Sequence, residues 1–195
     1  MTPRHPARRT IGAFLQVSLD GYYCDPAGDM RFAHKPPEDT EWNTFVAGNA
    51  SGNGALLFGR VTYEMMAAWW PTPMAAAAMP AVAAGMNAMP KYVFSRTLSH
   101  AAWANTTLLR GSLPDAIRRL TAEPGPDLVV LGSGSIVTQL ADAGLLDTLQ
   151  VVICPVALGA GKSLFGGLGR PAHLTLTQSR VFANGSVVLW YEPRR

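Results

Sequence analysis

Apolar positions along the chain fall into short runs separated by stretches with helical spacing. Ile11 to Leu19 is apolar at both parities of a two-residue repeat, which predicts a strand covered on both faces, as a central parallel strand is. Further strands are predicted at Ala55–Phe58, Lys91–Phe94, Thr106–Leu109, Asp127–Leu131 and Leu149–Cys154. Between them the period changes. Glu38 to Ala47 reads as a short helix with Trp42, Phe45 and Val46 on one face, and Arg60 to Trp69 as a helix with Val61, Met65 and Ala68 at helical spacing. Leu113 to Glu123 is amphipathic, with Ala116, Ile117 and Leu120 inward and Asp115, Arg118 and Arg119 toward water. Ile136 to Ala143 supplies one more helix.

Two regions break this alternation. Residues 71–90 are rich in Ala, Met and Pro, carry no charge and are interrupted at Pro80 and Gly85, so they read as a helix-and-loop excursion. Near the end, His173–Phe182 and Ser186–Tyr191 flank Asn184-Gly185, a dipeptide suited to a type I′ hairpin turn with positive φ at both central residues. The pattern as a whole is alternating β/α units closed by an antiparallel hairpin.

Length and composition narrow the class. A chain of 195 residues suffices for one domain with a full core, with residues 1–10 as a loose arm and 11–195 as the domain. Hydrophobic residues make up 48% and charged residues 15%, which excludes disorder over most of the length and leaves apolar surface that self-association would bury. Of the formal charge of +3, much sits at the ends, in Arg4, Arg8, Arg9, Arg194 and Arg195. No basic stripe with interleaved aromatics crosses the body, so nucleic acid is not an expected partner. Cys24 and Cys154 lack metal or dithiol spacing and read as two buried free thiols. The apolar stretch after the first arginines is short for a secretory leader and no run is long enough to span a membrane, so a cytoplasmic protein with no metal is expected.

Three strand ends carry candidate chemistry. Leu128 to Leu131 runs into Gly132-Ser133-Gly134-Ser135, which opens a helix. Glycines admit a phosphate close to the backbone, and the free N–H groups of the helix start point at it; an ordinary β-to-α turn with an N-capping serine has the same sequence. At Phe58-Gly59-Arg60-Val61-Thr62 a strand again ends in glycine, and Arg60 stands in the first turn, against the macrodipole unless it faces an anion. Ser95-Arg96-Thr97 follows a third strand and offers hydroxyls and a guanidinium for a monophosphate. Ligands of open α/β sheets sit outside the carboxyl ends of the strands, where all three motifs lie.

These motifs, with Phe14-Leu15-Gln16-Val17-Ser18-Leu19-Asp20-Gly21, Leu145-Leu146-Asp147, Pro155 to Phe165 and Asn184-Gly185, resemble a known pattern from about Ile11 to Pro193. The chain is similar to dihydrofolate reductase-like proteins, and especially to the C-terminal reductase domain of bifunctional riboflavin-biosynthesis deaminase-reductases. The resemblance implies a three-layer α/β/α fold with a mostly parallel sheet, a homodimer, and an NADPH-dependent reductase that passes hydride to a C=N or C=O carbon of a small pterin-, pyrimidine- or sugar-like substrate. It places Gly59, Arg60 and Thr62 on the cofactor phosphates, Ser95, Arg96 and Thr97 on the 2′-phosphate, and Gly132, Ser133, Gly134, Ser135 and Ile136 on the pyrophosphate. Ser18 to Gly21 would border the nicotinamide, and Trp42, Phe45 and Trp69 would wall the substrate. A non-catalytic nucleotide- or pterin-binding protein of the same fold is the alternative.

The catalytic acid rests on two carboxylates. Glu41 stands one helical turn before Phe45, as the acid of dihydrofolate reductases precedes an aromatic residue, and Asp20 lies where the family pattern approaches the nicotinamide. Glu41, like Glu38 and Asp39, is equally read as a helix-start acid favoured by the dipole, and Asp20 as a turn residue bonding its own backbone. Gly161-Lys162-Ser163 imitates the end of a P-loop, but Val156 stands where that motif needs its first glycine, and the stretch reads as structural. Of the histidines, His34 is placed to reach the substrate pocket, while His5, His100 and His173 read as inert.

Overall fold

The computed structural model describes residues 8–50 and 53–194. The first half of the chain forms β1 (Ile11–Ser18), β2 (Tyr22–Cys24), α1 (Thr40–Ala50), β3 (Ala55–Gly59), α2 (Arg60–Trp69), α3 (Pro73–Ala78), α4 (Pro80–Ala88) and β4 (Lys91–Phe94). The second half forms β5 (Thr106–Leu109), α5 (Leu113–Ala122), β6 (Leu128–Leu131), α6 (Gly134–Asp142), β7 (Thr148–Cys154), β8 (Lys162–Ser163), β9 (Leu174–Val181) and β10 (Val187–Pro193). Eight strands make one sheet in the order β5-β4-β3-β6-β1-β7-β10-β9. The first six run parallel, and β10 is antiparallel to both β7 and β9. This is the mostly parallel sheet closed by an antiparallel hairpin that the apolar pattern and the resemblance both imply. Short β2 and β8, which the pattern does not announce, pair in a separate two-stranded ribbon.

Helices cover both faces. On one, α5 and α6 bury Ile117, Leu120, Val137 and Leu140 against Ile11, Ala13, Leu15 and Val17 of β1 and their neighbours on β3, β6 and β7. On the other, α2 and α4 pack Tyr63, Val82 and Met86 on Leu56, Phe58 and Val93, while α1 lays Trp42 against Val152, Cys154 and Val188. The strand β1 corrects one expectation. Only one of its faces is fully buried; Gly12, Phe14 and Gln16 on the other are half-buried. That partly open face becomes the floor of a cleft.

Several expectations change in detail. Pro80 starts α4 instead of breaking a helix, since a proline at the first helical position gives up an N–H that has no partner there. Gly85 lies inside α4, where a Cβ would stand 2.4 Å from the Ala50 carbonyl oxygen, so glycine lets α4 approach α1. The hairpin turn is not type I′: the Gly185 N–H donates to the Phe182 carbonyl, so the central pair is Ala183-Asn184, neither with positive φ, and Gly185 follows it with φ +82°. Asn184 instead donates to Asp39 (2.6 Å) and accepts from the Ser186 N–H, fastening the turn to the start of α1. Residues 1–7 of the arm, His5 among them, lie outside the described residues. Residues 8–10 are not loose: Arg8 pairs with Asp147, Thr10 N–H donates to Asp127, and Arg9 is buried, donating to the Pro126 carbonyl with Tyr92 beneath its guanidinium. Cys24 and Cys154 are buried free thiols, as the sequence implied. Among the described residues no helix is long and apolar enough to cross a membrane.

Candidate active site

Because the central strands are parallel, their C-terminal ends open on one edge. There β3 passes through Gly59 into α2, and β6 passes through Gly132-Ser133 into α6. Ser133 takes a left-handed conformation (φ 57°), and its Oγ accepts a hydrogen bond of 2.8 Å from the Gly59 N–H. That bond clamps the two helix starts side by side. Neither Gly59 nor Ser133 caps its helix through a side chain, so the N-capping reading of Ser133 fails and the first-turn N–H groups keep their pull on an anion. Glycine is required at 134 because the Tyr23 ring lies where a side chain would go, 2.3 Å from the position of a Cβ.

A cleft of about 360 Å³ opens beside this junction. Phe14, Gln16 and Leu131 contribute from β1 and β6, α2 adds Val61, Thr62, Met65 and Met66, and Tyr23, Cys24 and Lys162 come from β2 and β8. Gly59, Arg60 and Gly132 to Ser135 line it from the helix starts, and Met30 from the loop after β2. A neighbouring depression shares Gly59, Arg60 and Ser135 with it and is lined further by Ser95, Arg96, Thr97, Ile136 and the start of α5. All eleven residues assigned to the cofactor from the sequence therefore meet in two adjoining hollows. The Ser95 hydroxyl accepts from the N–H groups of Thr97 and Leu98, and Arg110 donates to the carbonyls of Ser95, Arg96 and Leu98. Arg110, which the sequence does not single out, thus braces the loop that exposes Arg96. The unfavourable placement of Arg60 has a local remedy in Glu64, one turn on at 2.7 Å.

The carboxylates depart from expectation. Glu41 does not line the cleft; it ion-pairs with Arg180 (3.0 Å) and accepts from the Ala183 N–H, in a surface groove of α1. The Ala183 bond, with Arg180 beside it, lowers the Glu41 pKa, and Asn184 does the same for Asp39. Asp20 accepts from the Ser18 hydroxyl (2.6 Å) and from the N–H groups of Leu158 and Gly159, joining the loop after β1 to the one after β7. These bonds, the Ser18 hydroxyl foremost, hold its pKa down to about 2, so at neutral pH it has no proton to give. Neither carboxylate lines the cleft, and each braces neighbouring loops. Since the folded pKa lies below the ordinary carboxylate value near 4, Asp20 stabilises the fold above about pH 4 and loses that contribution as pH falls toward 2. Asp20→Asn is expected to flatten that acid limb, measured as the unfolding midpoint against pH; an unchanged slope would deny Asp20 its bracing role.

The substrate wall differs from expectation at Trp42, Phe45 and Ser18, none of which lines the cleft. Trp42 is buried under α1 and Phe45 packs among Trp42, Phe182 and Trp190, touching the cleft only through Phe14 at a ring separation of 6.4 Å. Ser18 is fully buried, its hydroxyl turned to Asp20 and to the Tyr22 N–H. Trp69 is exposed at the far end of α2. His34, His100 and His173 are exposed, and none lines the cleft. Cys24 does line it, its thiol pKa pushed up by burial. Among the described residues no three His, Cys, Asp or Glu gather to hold a metal. The sequence reading missed Phe14, Gln16, Tyr23, Met30 and Lys162. Of these, Gln16 leaves a trace as a polar residue inside an apolar run, and Lys162 as the lysine of the P-loop imitation that reads as structural.

Comparison with known proteins places this geometry. The model of the RibD C-terminal domain matches residues 9–188. The uncharacterised protein YyaP of Bacillus subtilis (strain 168) is 27% identical over 188 residues, covering 94% of this chain and 95% of its own. A crystal structure described as a candidate riboflavin biosynthesis protein from Shewanella sp. PV-4 superposes with a TM-score of 0.72 at 23% identity, covering 95% of this chain and 99% of that one. Dihydrofolate reductase from Enterococcus faecalis, solved with NADP(H), superposes with a TM-score of 0.60 at 13% identity over 95% and 97% of the two chains. The dihydrofolate reductase-like fold is thereby established.

Proposed function

Because the chain belongs to the RibD C-terminal domain family, we propose that it is an NADPH-dependent reductase acting on a C=N or C=O carbon of a small substrate of the pterin, pyrimidine or sugar kind. The observation that carries the reading is the Gly59–Ser133 junction, which sets two uncapped helix starts against one cleft and Arg96 in the hollow next to it. The residues present fit a dinucleotide phosphate. Of Gly132 to Ile136, Ser133, Gly134 and Ser135 would hold the pyrophosphate with N–H and hydroxyl donors together with Thr62, while the Gly132 and Ile136 N–H groups go to the Phe14 and Ser133 carbonyls and shape the turn, and Arg60 would add charge. Ser95, Arg96 and Thr97 would hold a 2′-phosphate. A bound reduced nicotinamide would supply the hydride. The protein's own part is to bind, orient and keep the cleft dry over Phe14 and Leu131. With Asp20 and Glu41 engaged elsewhere, water supplies the proton. A cytoplasmic homodimer belongs to the same proposal.

Titration with NADPH, followed by cofactor oxidation over pterins, ribosylaminopyrimidines and simple carbonyls, tests it. Tight binding with turnover of one class is the expected result. Binding without turnover on any of them would favour a nucleotide-holding protein without catalysis, a reading that the placement of Asp20 and Glu41 outside the cleft keeps in play. No binding of NADPH or NADP⁺ would end both.

A further inference from the structure

The sequence gives α2 a stripe of Val61, Met65 and Ala68, which reads as a core face; the fold turns it outward. The core face of α2 is Tyr63, Met66, Ala67 and Trp70. Val61, Met65 and Trp69 instead stand 69%, 45% and 40% exposed. Spaced four residues apart, they lie on one side of the helix, and the first two line the cleft. An apolar strip is thus rooted in the candidate active site and runs out of it along α2.

The chemistry of the strip selects what it takes. Its one nearby ion pair, Arg60 with Glu64, is closed on itself. Among the described residues no carboxylate lines the cleft, and its unpaired cation, Lys162, belongs to β8 and not to α2. Beyond the glycine-rich end the apolar walls are Phe14, Leu131 and the methionines Met30, Met65 and Met66, with the Gln16 amide and the Tyr23 ring beside them. Methionine is polarisable and adapts its shape, which suits a flat ring better than a phosphate or a polyhydroxylated chain. Exposed apolar surface of this kind is retained where something covers it.

We infer that the substrate is a flat, uncharged aromatic carbonyl compound whose ring system enters over Phe14 and leans outward on Met65 and Trp69. This rests on the cleft being a reductase site and narrows its substrate class. The test is direct binding of 6-propionyl-2-(dimethylamino)naphthalene, a flat neutral aryl ketone whose emission shifts to the blue in an apolar site, to the full chain saturated with NADP⁺. One saturable site is expected. Met65→Lys and Trp69→Lys are each expected to weaken it by about tenfold, while Leu176→Lys, at an exposed apolar residue of β9, leaves it unchanged. Three outcomes overturn the inference: no saturable binding, equal binding by the α2 variants, or displacement of the probe by ribose 5-phosphate. A fourth does so as well: if the α2 variants change the sedimentation coefficient of the protein, the strip is covered by a second copy and not by substrate. Failure to bind NADP⁺ would instead strike the reductase reading, and probe binding to the cofactor-free chain would still decide what the strip accepts.

Discussion

Lys91→Met is expected to destabilise the protein by about 3 kcal/mol and to lower its thermal midpoint by roughly 10 °C. Lys91 opens β4 and is fully buried. Its Nζ donates to the carbonyls of Asn87 (3.0 Å), Met89 (2.7 Å) and Ala104 (3.1 Å) and lies 4.5 Å from the centre of the Trp103 ring. Asn87 in turn accepts from the Trp103 indole N–H and donates to the Trp70 carbonyl, and the Trp103 N–H donates to the Tyr63 hydroxyl. One ammonium therefore gathers the end of α4, the start of β4 and the approach to β5. Burial pushes its pKa down to about 8, which leaves it charged at neutral pH. Methionine fills a similar volume and removes the cost of burying that charge, on the order of 3 kcal/mol. It also removes three charge-assisted bonds at about 1.5–3 kcal/mol each, leaving the Asn87 carbonyl only the Asn105 amide and those of Met89 and Ala104 without the ammonium, and that loss outweighs the relief. Thermal and urea unfolding of the two proteins measure the difference; a variant as stable as the parent would mean that water replaces the ammonium.

How far such features can be read from the chain depends on the range of the interaction that creates them. The strands of the parallel sheet are legible because each is a short apolar run closed by glycine or a turn, a local signal. The glycine-rich turn at 132–135 and the Ser95-Arg96-Thr97 loop are legible for the same reason: each sits just past its strand, and parallel pairing brings the strand ends to one edge. Side-chain direction is another matter. The 3.6-residue period of α2 offers two apolar stripes, Val61-Met65 and Tyr63-Met66-Trp70, and nothing local says which one meets the sheet. Glu41 looks like the acid of a reductase until Arg180, 139 positions away, claims it. Lys91 resembles any surface lysine and Lys162 the end of a P-loop; one is enclosed by three backbone carbonyls, and the other reaches the cleft through a ribbon with β2. Distant partners decide these roles, and a local pattern does not contain them.

Arg96→Ala is expected to weaken NADPH binding by about 10- to 100-fold while changing NADH binding by less than about twofold, as measured by direct titration of each. The two dinucleotides differ only in the 2′-phosphate, so the ratio of the two losses isolates the group that Arg96 meets. The loop geometry makes the comparison clean. Arg110 holds the carbonyls of Ser95, Arg96 and Leu98, and the Ser95 hydroxyl holds the N–H groups of Thr97 and Leu98. Every one of those bonds involves the backbone at one end, and none needs the Arg96 side chain, so truncation removes the guanidinium without releasing the loop. A charge-assisted, two-pronged contact to phosphate contributes about 1.5–3 kcal/mol, which is the stated range of affinity. Arg96→Lys is expected to fall between the two, since a point charge keeps the attraction and loses the fork. Rising salt should erode NADPH binding to the parent more than to the alanine variant, because the side chain is exposed and its charge is screened. Equal losses for NADPH and NADH would remove Arg96 from the phosphate and shift the selectivity to Arg60, a cation that borders both hollows.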